Sequence, residues 1–204
     1  MIRNKNILIG YKLFFGLLGF SAVVTEIATI IERGRFNPVN FLSFFTIETN
    51  ILVFVTLLLS AIFVAMGKNS KLDTLRSAAT VYALVVGIGF AILLAGMEGV
   101  ELTAVPWDNT VLHYIMPIAM LIDFLIDRPQ RKLLFKQSLA WLFFPIIYLA
   151  YSLIRGSLIG WYPYPFLNPD TKGYGAIMFI ICGLLILALG LSWTITKLSG
   201  KKVA

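Results

Sequence analysis

The sequence has few side chains that could take part in catalysis, and the clearest candidates are one threonine and one histidine. Thr46 and His113 both lie inside long apolar runs, and His113 is the only histidine among the 204 residues. A threonine hydroxyl becomes a nucleophile when a neighbouring base removes its proton. The ordinary pKa of histidine lies near neutrality, which suits histidine to that task. We therefore predict that Thr46 and His113 form a catalytic nucleophile–base pair.

Further polar residues near this pair could complete a catalytic site. Glu26, Thr46 and His113 belong to three different predicted helices, each about 6–10 Å below the same membrane surface at the helical rise per residue. Carboxylates at that depth require a partner, a water-filled cavity or a shifted pKa. A structural alternative is that these polar groups only form hydrogen bonds between helices. The candidates to orient the imidazole or to stabilise an oxyanion are Glu26, Ser43, Glu48, Asn50, Asp108 and Asn109.

The residue content disfavours several other chemistries. One cysteine and one histidine are too few for a typical zinc site or for bis-histidine haem ligation. The sequence contains neither a glycine-rich phosphate-binding loop nor a G-x-S-x-G motif. No lysine lies in the middle of an apolar run, where a retinal Schiff base would form. We therefore predict no metal and no cofactor.

The composition is that of a membrane protein. Apolar residues make up 59% and charged residues 13% of the chain, and the mean hydropathy is +0.87, whereas soluble domains average about 45–50% apolar and about 25% charged residues. This excludes an ordinary soluble enzyme and a disordered chain. A span needs about 20 apolar residues, so the composition allows six spans. We predict an all-α polytopic protein, one domain over residues 1–204, with spans at Ile7–Ile31, Phe41–Met66, Leu75–Gly96, Asn109–Ile126, Phe135–Ile154 and Tyr174–Leu198.

The distribution of basic residues predicts the orientation of these spans. Thirteen of the seventeen Lys and Arg residues fall on the side that carries both termini, and four fall on the other side. Cytoplasmic loops are enriched in Lys and Arg. Both termini are therefore predicted to be cytoplasmic, most simply in a bacterial cytoplasmic membrane. The net charge of +7 then reports orientation, and no nucleic-acid partner is implied.

Helical spacing predicts which side of the second span faces the protein interior. The polar residues Ser43, Thr46, Thr49 and Asn50 recur at intervals that place them on one helix face. Lipid-facing positions are apolar, so this stripe is expected to face the other helices.

The fourth predicted span carries two residues that affect its shape and packing. Pro117 should kink the helix, because it lacks an N–H group. Asp123 lies near the cytoplasmic end of the span and is expected to pair with Arg128 or with another basic loop residue.

The longest connection between predicted spans is Gly156–Gly173, on the non-cytoplasmic side. It contains the run Trp161–Phe166, whose prolines prevent a regular helix. Its aromatic rings suit an anchor at the level of the lipid headgroups. The alternative is a lid over a cavity that opens on the outer side, with Trp161, Tyr162 and Tyr164 as the lid candidates.

Three segments together resemble a known family. They are FFTIETN at Phe44–Asn50, NTVLHYIMP at Asn109–Pro117 and WYPYPF at Trp161–Phe166. In order and spacing they resemble a bacterial family of six-span membrane proteins, which is itself similar to the androgen-induced protein and ADTRP family of animals. The animal proteins are hydrolases that cleave fatty acid esters of hydroxy fatty acids with a threonine and a histidine. The resemblance implies that Thr46, by its aromatic–threonine context, and His113, between an Asn and a Pro, are this pair.

The leading expectation is an intramembrane lipid-ester hydrolase with a membrane lipid or lipid ester as its substrate. The alternative is a proton-coupled lipid or small-molecule transporter or binding protein with no hydrolytic activity, in which Glu26 and Glu48 carry protons. A structural subunit of a larger assembly is a third hypothesis. The sequence gives no indication of the oligomeric state.

Overall fold

The computed structural model describes residues 4–97 and 103–200. Within these ranges the chain is helical and has no strand, and six helices are long and apolar enough to cross a membrane. The prediction of an all-α integral membrane protein with six spans is therefore confirmed. The six helices are α1 (Lys5–Glu32), α2 (Phe45–Ala65), α3 (Asp73–Leu93), α4 (Pro106–Ile126), α5 (Phe135–Ile159) and α6 (Pro169–Leu198).

The observed helix ends differ from the predicted ones where local capping overrides hydropathy. The second span starts at Phe45 rather than Phe41, because Pro38–Phe41 forms a separate helical turn capped by Asn37. The fifth helix continues to Ile159 and ends at Gly160, which adopts the left-handed conformation typical of helix ends. α6 begins at Pro169, earlier than the predicted Tyr174, and its helical dihedral angles are interrupted at Gly173.

α4 is distorted where the sequence predicted a kink. Its first turn is followed by a π-helical segment at Val111–Ile115, and regular α-helix resumes at Met116. Pro117 has no N–H group to donate to the His113 carbonyl four residues earlier, which favours a change of winding there. Gly87 of α3 packs against this point, since a Cβ on Gly87 would lie 2.9 Å from Pro117 Cβ. The distorted turn carries His113.

Small residues allow α1 to approach its neighbours closely. A Cβ on Gly16 would lie 2.8 Å from Leu58 Cδ2 of α2, and a Cβ on Gly19 would lie 2.8 Å from Met116 Cε of α4. Such close approach is the usual way in which helices pack in lipid, where there is little hydrophobic drive between them. α1 therefore packs directly against both α2 and α4.

α5 and α6 lie at the periphery. In the most apolar stretch of each helix, only 17% of the residues of α5 and 22% of those of α6 are buried, compared with 61% for α3. Their outward side chains are large and apolar, with Leu158 78% exposed and Phe179 82% exposed. These surfaces are suited to contact with lipid.

Five charged side chains form a buried network at the end of the bundle where α1 begins, which we call the terminal end. Lys12 Nζ lies 2.5 Å from Asp123 Oδ1 and 3.1 Å from Asp127 Oδ2. Arg76 Nε lies 3.1 Å from Asp123 Oδ2, and Arg76 Nη1 lies 2.8 Å from Asp127 Oδ2 and 3.4 Å from Asp73 Oδ1. All five residues are buried. The network joins α1, α3 and α4.

The ion-pair partners of Asp123 are not the loop residues predicted from the sequence. Instead of Arg128, Asp123 pairs with Lys12 and Arg76, which lie within two other helices. Hydropathy did not predict these partners, because it counts basic residues near helix ends as facing the membrane surface. The fold instead buries Lys12 and Arg76 inside the bundle.

The network yields a first prediction. Replacing Lys12 by methionine keeps a side chain of similar length but removes its charge, so that among the described residues Asp123 keeps only Arg76 as an ion-pair partner. Removing one partner of a buried ion pair typically lowers stability by about 3–5 kcal/mol. We expect Lys12→Met to lower the unfolding temperature of the detergent-solubilised protein markedly, as measured by circular dichroism.

The matched control is Lys68→Met, because Lys68 is exposed beyond the end of α2. Equal unfolding temperatures for the two variants would contradict a stabilising role of the network.

Candidate functional site

Thr46 and His113 lie in contact at the end of the bundle opposite the terminal end. Thr46 is in the first turn of α2, and His113 is in the π-helical segment of α4. The Thr46 Oγ1 and His113 Nε2 atoms are 3.3 Å apart. Both residues are buried. Two residues that are far apart in the sequence are therefore brought within hydrogen-bonding distance of each other.

The hydrogen bonds of the imidazole define its tautomer. His113 Nδ1 lies 3.1 Å from the main-chain oxygen of Asn109. A carbonyl oxygen can only accept, so Nδ1 carries the proton. In the neutral ring Nε2 then has the free electron pair and accepts from the Thr46 hydroxyl. The group that orients the ring is thus a main-chain carbonyl one turn earlier, and none of the three carboxylate candidates occupies this position.

The ring plane of His113 is also held by stacking. The Phe90 ring of α3 lies against it with a centroid separation of 4.0 Å and an interplanar angle of 24°. Because one face packs against Phe90 and Nδ1 is bonded to Asn109, the position of Nε2 is fixed. A base held in this way needs little reorganisation before proton transfer.

Tyr164 completes a directed chain of hydrogen bonds. Its hydroxyl oxygen accepts from the Thr46 main-chain N–H at 3.1 Å and lies 3.2 Å from Thr46 Oγ1. Since the Thr46 hydroxyl proton points to His113, the Tyr164 hydroxyl is the donor to Thr46 Oγ1. Burial raises the pKa of the Tyr164 phenol, so this donor stays protonated at neutral pH. The residue predicted only as part of a lid therefore lies directly against Thr46.

Two of the predicted oxyanion donors use their protons elsewhere. The Asn50 amide donates to the main-chain oxygens of Thr46 at 2.9 Å and Leu112 at 3.2 Å, which ties α2 to α4. The Ser43 hydroxyl donates to the Val39 carbonyl at 2.7 Å. The predicted interior stripe is confirmed, because all four of its members are buried.

The third predicted oxyanion donor is Asn109, whose main-chain oxygen accepts the hydrogen bond from His113 Nδ1. Its side-chain Oδ1 is buried and has no hydrogen-bond partner within the described part of the chain.

The three carboxylate candidates occupy two different places. Glu26 of α1 is buried and accepts a hydrogen bond from the Ala104 N–H at 2.7 Å. The Asp108 carboxyl group is fully buried beside that of Glu26. Glu48 is partly exposed and lies on the other side of α2. Only Glu26 lines the cavity that contains Thr46 and His113.

A cavity of about 520 Å³, here called the polar cavity, opens beside Thr46 and His113. Arg33 and Arg35 lie at its border, and Arg33 Nη2 donates to the Ala104 carbonyl at 2.6 Å. Sequence reasoning counted these two arginines only for orientation. The sequence nonetheless marks them as unusual. They are two of the four basic residues on the side of the membrane opposite the termini, where Lys and Arg are scarce. The polar cavity that contains the candidate nucleophile is therefore bordered by two basic side chains and by the carboxyl group of Glu26.

The segment with the lid candidates forms one wall of the polar cavity. Trp161 and Tyr162 line it together with Tyr164. The Arg155 guanidinium lies over the Trp161 ring at 4.9 Å. Tyr162 packs directly on Gly156 of α5, where a Cβ would overlap the tyrosine ring. The aromatic segment is therefore anchored on α5 and covers the site from the side.

A second, smaller cavity of about 80 Å³ lies next to the first and shares Thr46 with it. Thr46, Tyr164 and Leu94 line both cavities. The second cavity, here called the apolar slot, runs between α3, α5 and α6. The candidate nucleophile thus lies at the junction of a polar and an apolar space.

Within residues 4–97 and 103–200, no group of three or more His, Cys, Asp or Glu side chains is arranged to hold a metal ion. Comparison of the chain with known protein families, with curated proteins and with solved structures finds no match. The resemblance to the animal hydrolases therefore depends on the three quoted segments.

The site geometry predicts that Thr46 is accessible through the polar cavity. In a chain whose only cysteine, the exposed Cys182, is replaced by alanine, we expect Thr46→Cys to react with a small charged methanethiosulfonate reagent. The rate would be followed by mass spectrometry.

The control is Thr56→Cys, since Thr56 is a fully buried threonine of the same helix that lines neither cavity. We expect it to react at least tenfold more slowly. Equal rates at the two positions would contradict access through the cavity.

Proposed function

We propose that the protein is an intramembrane lipid-ester hydrolase in which Thr46 is the nucleophile and His113 is the general base. The observation that carries this proposal is the directed hydrogen-bond chain to Thr46 Oγ1, located where a polar and an apolar cavity meet. A hydroxyl within reach of an oriented base is the arrangement of nucleophilic acyl transfer. An amphipathic ester would have space for both of its halves on the two sides of this hydroxyl.

The first half of the reaction acylates the enzyme. As Thr46 Oγ1 attacks the ester carbonyl carbon, its proton passes to His113 Nε2, and a tetrahedral oxyanion forms. The intermediate collapses by breaking the bond between the carbonyl carbon and the ester oxygen. The departing alkoxide takes the proton from Nε2 and leaves as an alcohol, and the acyl group remains on Thr46.

The second half returns the enzyme to its starting state. His113 Nε2 removes a proton from water, and the hydroxide attacks the acyl–threonine carbonyl carbon. Collapse of this second intermediate breaks the bond to Thr46 Oγ1, which recovers its proton from Nε2. The product is a carboxylic acid. Throughout, the Asn109 carbonyl stabilises the imidazolium through Nδ1–H.

Tyr164 is the donor best placed to stabilise the oxyanion. Its phenol proton points to Thr46 Oγ1 in the resting site, and it is released for the neighbouring oxyanion once Oγ1 has bonded to carbon. A donor held in a water-poor site before the charge develops is an effective form of transition-state stabilisation. Because burial raises the pKa of this phenol, it keeps its proton at neutral pH.

The substrate is proposed to be a fatty acid ester of a hydroxy fatty acid, or a lipid ester of similar charge. Support comes from Arg33 and Arg35 at the polar cavity, which suit a carboxylate on the alcohol half. The excess of Lys and Arg towards the terminal end supports cytoplasmic termini. In the cytoplasmic membrane of a bacterium, the polar cavity would then open towards the outer face.

The catalytic pair is tested by single substitutions. We expect Thr46→Ala and His113→Ala each to lower ester hydrolysis by about a thousandfold or more, because nucleophile and base act as a unit. Labelling of the purified protein by a fluorophosphonate probe should be lost with Thr46→Ala. Hydrolysis of long-chain esters in detergent is the measurement.

Thr49→Ala serves as the control, because Thr49 is a buried threonine of the same helix that lines neither cavity. Hydrolysis and labelling that persist in both Thr46→Ala and His113→Ala would contradict the proposal. Uptake driven by a pH gradient in liposomes, without an acyl-enzyme, would instead favour the transporter alternative.

The role of Tyr164 gives a separate prediction. Tyr164→Phe keeps the ring that stacks on Phe166 at a centroid separation of 5.1 Å but removes the donor. We expect kcat to fall by about a hundredfold, the usual effect of losing one oxyanion donor. The matched control is Tyr162→Phe, since the neighbouring phenol makes no hydrogen bond to Thr46 in the described structure. Equal kcat values for the two variants would exclude this role.

A further inference from the structure

The apolar slot extends the site into the membrane-spanning part of the bundle. It runs from Thr46 towards the terminal end and is lined almost entirely by hydrocarbon side chains. Its walls belong to three helices, α3, α5 and α6. Residues that shape it are Val86, Gly89, Phe90, Leu149, Leu184 and Ala188.

The few polar atoms that border the slot already have partners. The Tyr82 hydroxyl donates to the Trp141 carbonyl at 2.6 Å, and the Tyr148 hydroxyl donates to the Ser43 carbonyl at 3.0 Å. The two other hydroxyls belong to Tyr164 and Thr46, whose bonds are described above. A polar ligand would therefore lose hydrogen bonds to water without replacement in the slot, whereas a hydrocarbon chain would lose none.

The residues that line the slot are distributed over the length of a chain rather than of a small group. His113, in contact with Thr46, stacks on Phe90, so Thr46 lies at the level of Phe90 on α3. The lining continues down α3 to Tyr82, eight residues earlier, which corresponds to about 12 Å along the helix axis. An extended acyl chain of medium length spans that distance.

Two small residues keep the slot open at different depths. A Cβ on Gly89 would lie 3.6 Å from Leu184 Cδ2, so the missing side chain at Gly89 preserves the space between α3 and α6 near Thr46. Ala188 lies one helical turn beyond Leu184, about 6 Å nearer the terminal end. Gly89 is therefore near the mouth of the slot, and Ala188 is near its far end.

We propose that the apolar slot binds the unbranched acyl chain of the ester, while the alcohol half occupies the polar cavity, and that Gly89 and Ala188 set the chain length that is accepted. This inference rests on the proposed function, because the slot begins at the hydroxyl that would carry the acyl group. It specifies that the acyl half is apolar along its whole length. The peripheral position of α5 and α6 gives such a chain a route from the lipid.

Chain-length selectivity tests the proposal. The ratio of kcat/KM for a ten-carbon to a two-carbon p-nitrophenyl ester would be measured for the whole protein in detergent. We expect Gly89→Leu to lower this ratio at least tenfold. Ala188→Leu should move the preferred ester to a shorter chain, because it closes only the far end.

The matched control is Gly183→Leu, the same substitution at a glycine of α6 where nothing lies within 4 Å of an added Cβ. It should leave the ratio unchanged. Thr46-dependent hydrolysis with the same ratio in all three variants would overturn the slot proposal and leave the proposed function standing.

A binding measurement keeps the two proposals separable. In the Thr46→Ala protein, a photoreactive decanoate with a diazirine near its methyl end should label residues that line the slot, as mapped by mass spectrometry. Adding Gly89→Leu should abolish this labelling, and adding Gly183→Leu should not. Labelling of the slot in a protein that hydrolyses no ester would support the binding site and overturn the proposed function. Labelling confined to the outer faces of α5 and α6 would overturn the binding site.

Discussion

The arrangement of the bundle depends on polar contacts between helices. Apolar side chains gain little by leaving lipid for one another, so they fix neither the rotation nor the register of neighbouring helices. Hydrogen bonds and ion pairs do so in this protein. At the terminal end, Lys12 and Arg76 hold the carboxylates of α4. At the other end, the Asn50 amide joins main-chain oxygens of α2 and α4. The second attachment lies directly beside the candidate site, because it holds the carbonyl of Thr46 and the carbonyl of Leu112, the residue before His113.

The distortion of α4 brings the His113 side chain into contact with Thr46. Because Pro117 cannot donate to the carbonyl of His113, the preceding turn widens, and the imidazole is presented towards α2. Gly87 lets α3 approach the same turn and brings Phe90 against the ring. The base is thus fixed by backbone geometry and stacking rather than by a charged partner. This explains how a site with one histidine can dispense with a neighbouring carboxylate at Nδ1.

Thr46 lies between two cavities of different polarity, and this difference can orient a bound substrate. On one side are arginines and the aromatic wall of Trp161 and Tyr162, and on the other side is hydrocarbon. An amphipathic ester can be oriented by this contrast alone, since each half avoids the environment of the other. The same contrast follows the membrane, where the polar cavity lies near one surface and the apolar slot reaches towards the interior.

The sequence by itself determined the six spans, the interior stripe of α2 and the pairing of Thr46 with His113 as a hypothesis, because hydropathy, helical periodicity and residue type are local properties. It named Tyr164 as a lid candidate but not as a partner of Thr46, and it did not predict the buried network that contains Lys12. Only the tertiary structure decided these contacts, together with the Asn109 carbonyl at Nδ1 and the apolar slot. Each depends on how distant helices meet, and in lipid that is set by a few polar contacts and close approaches that hydropathy does not encode.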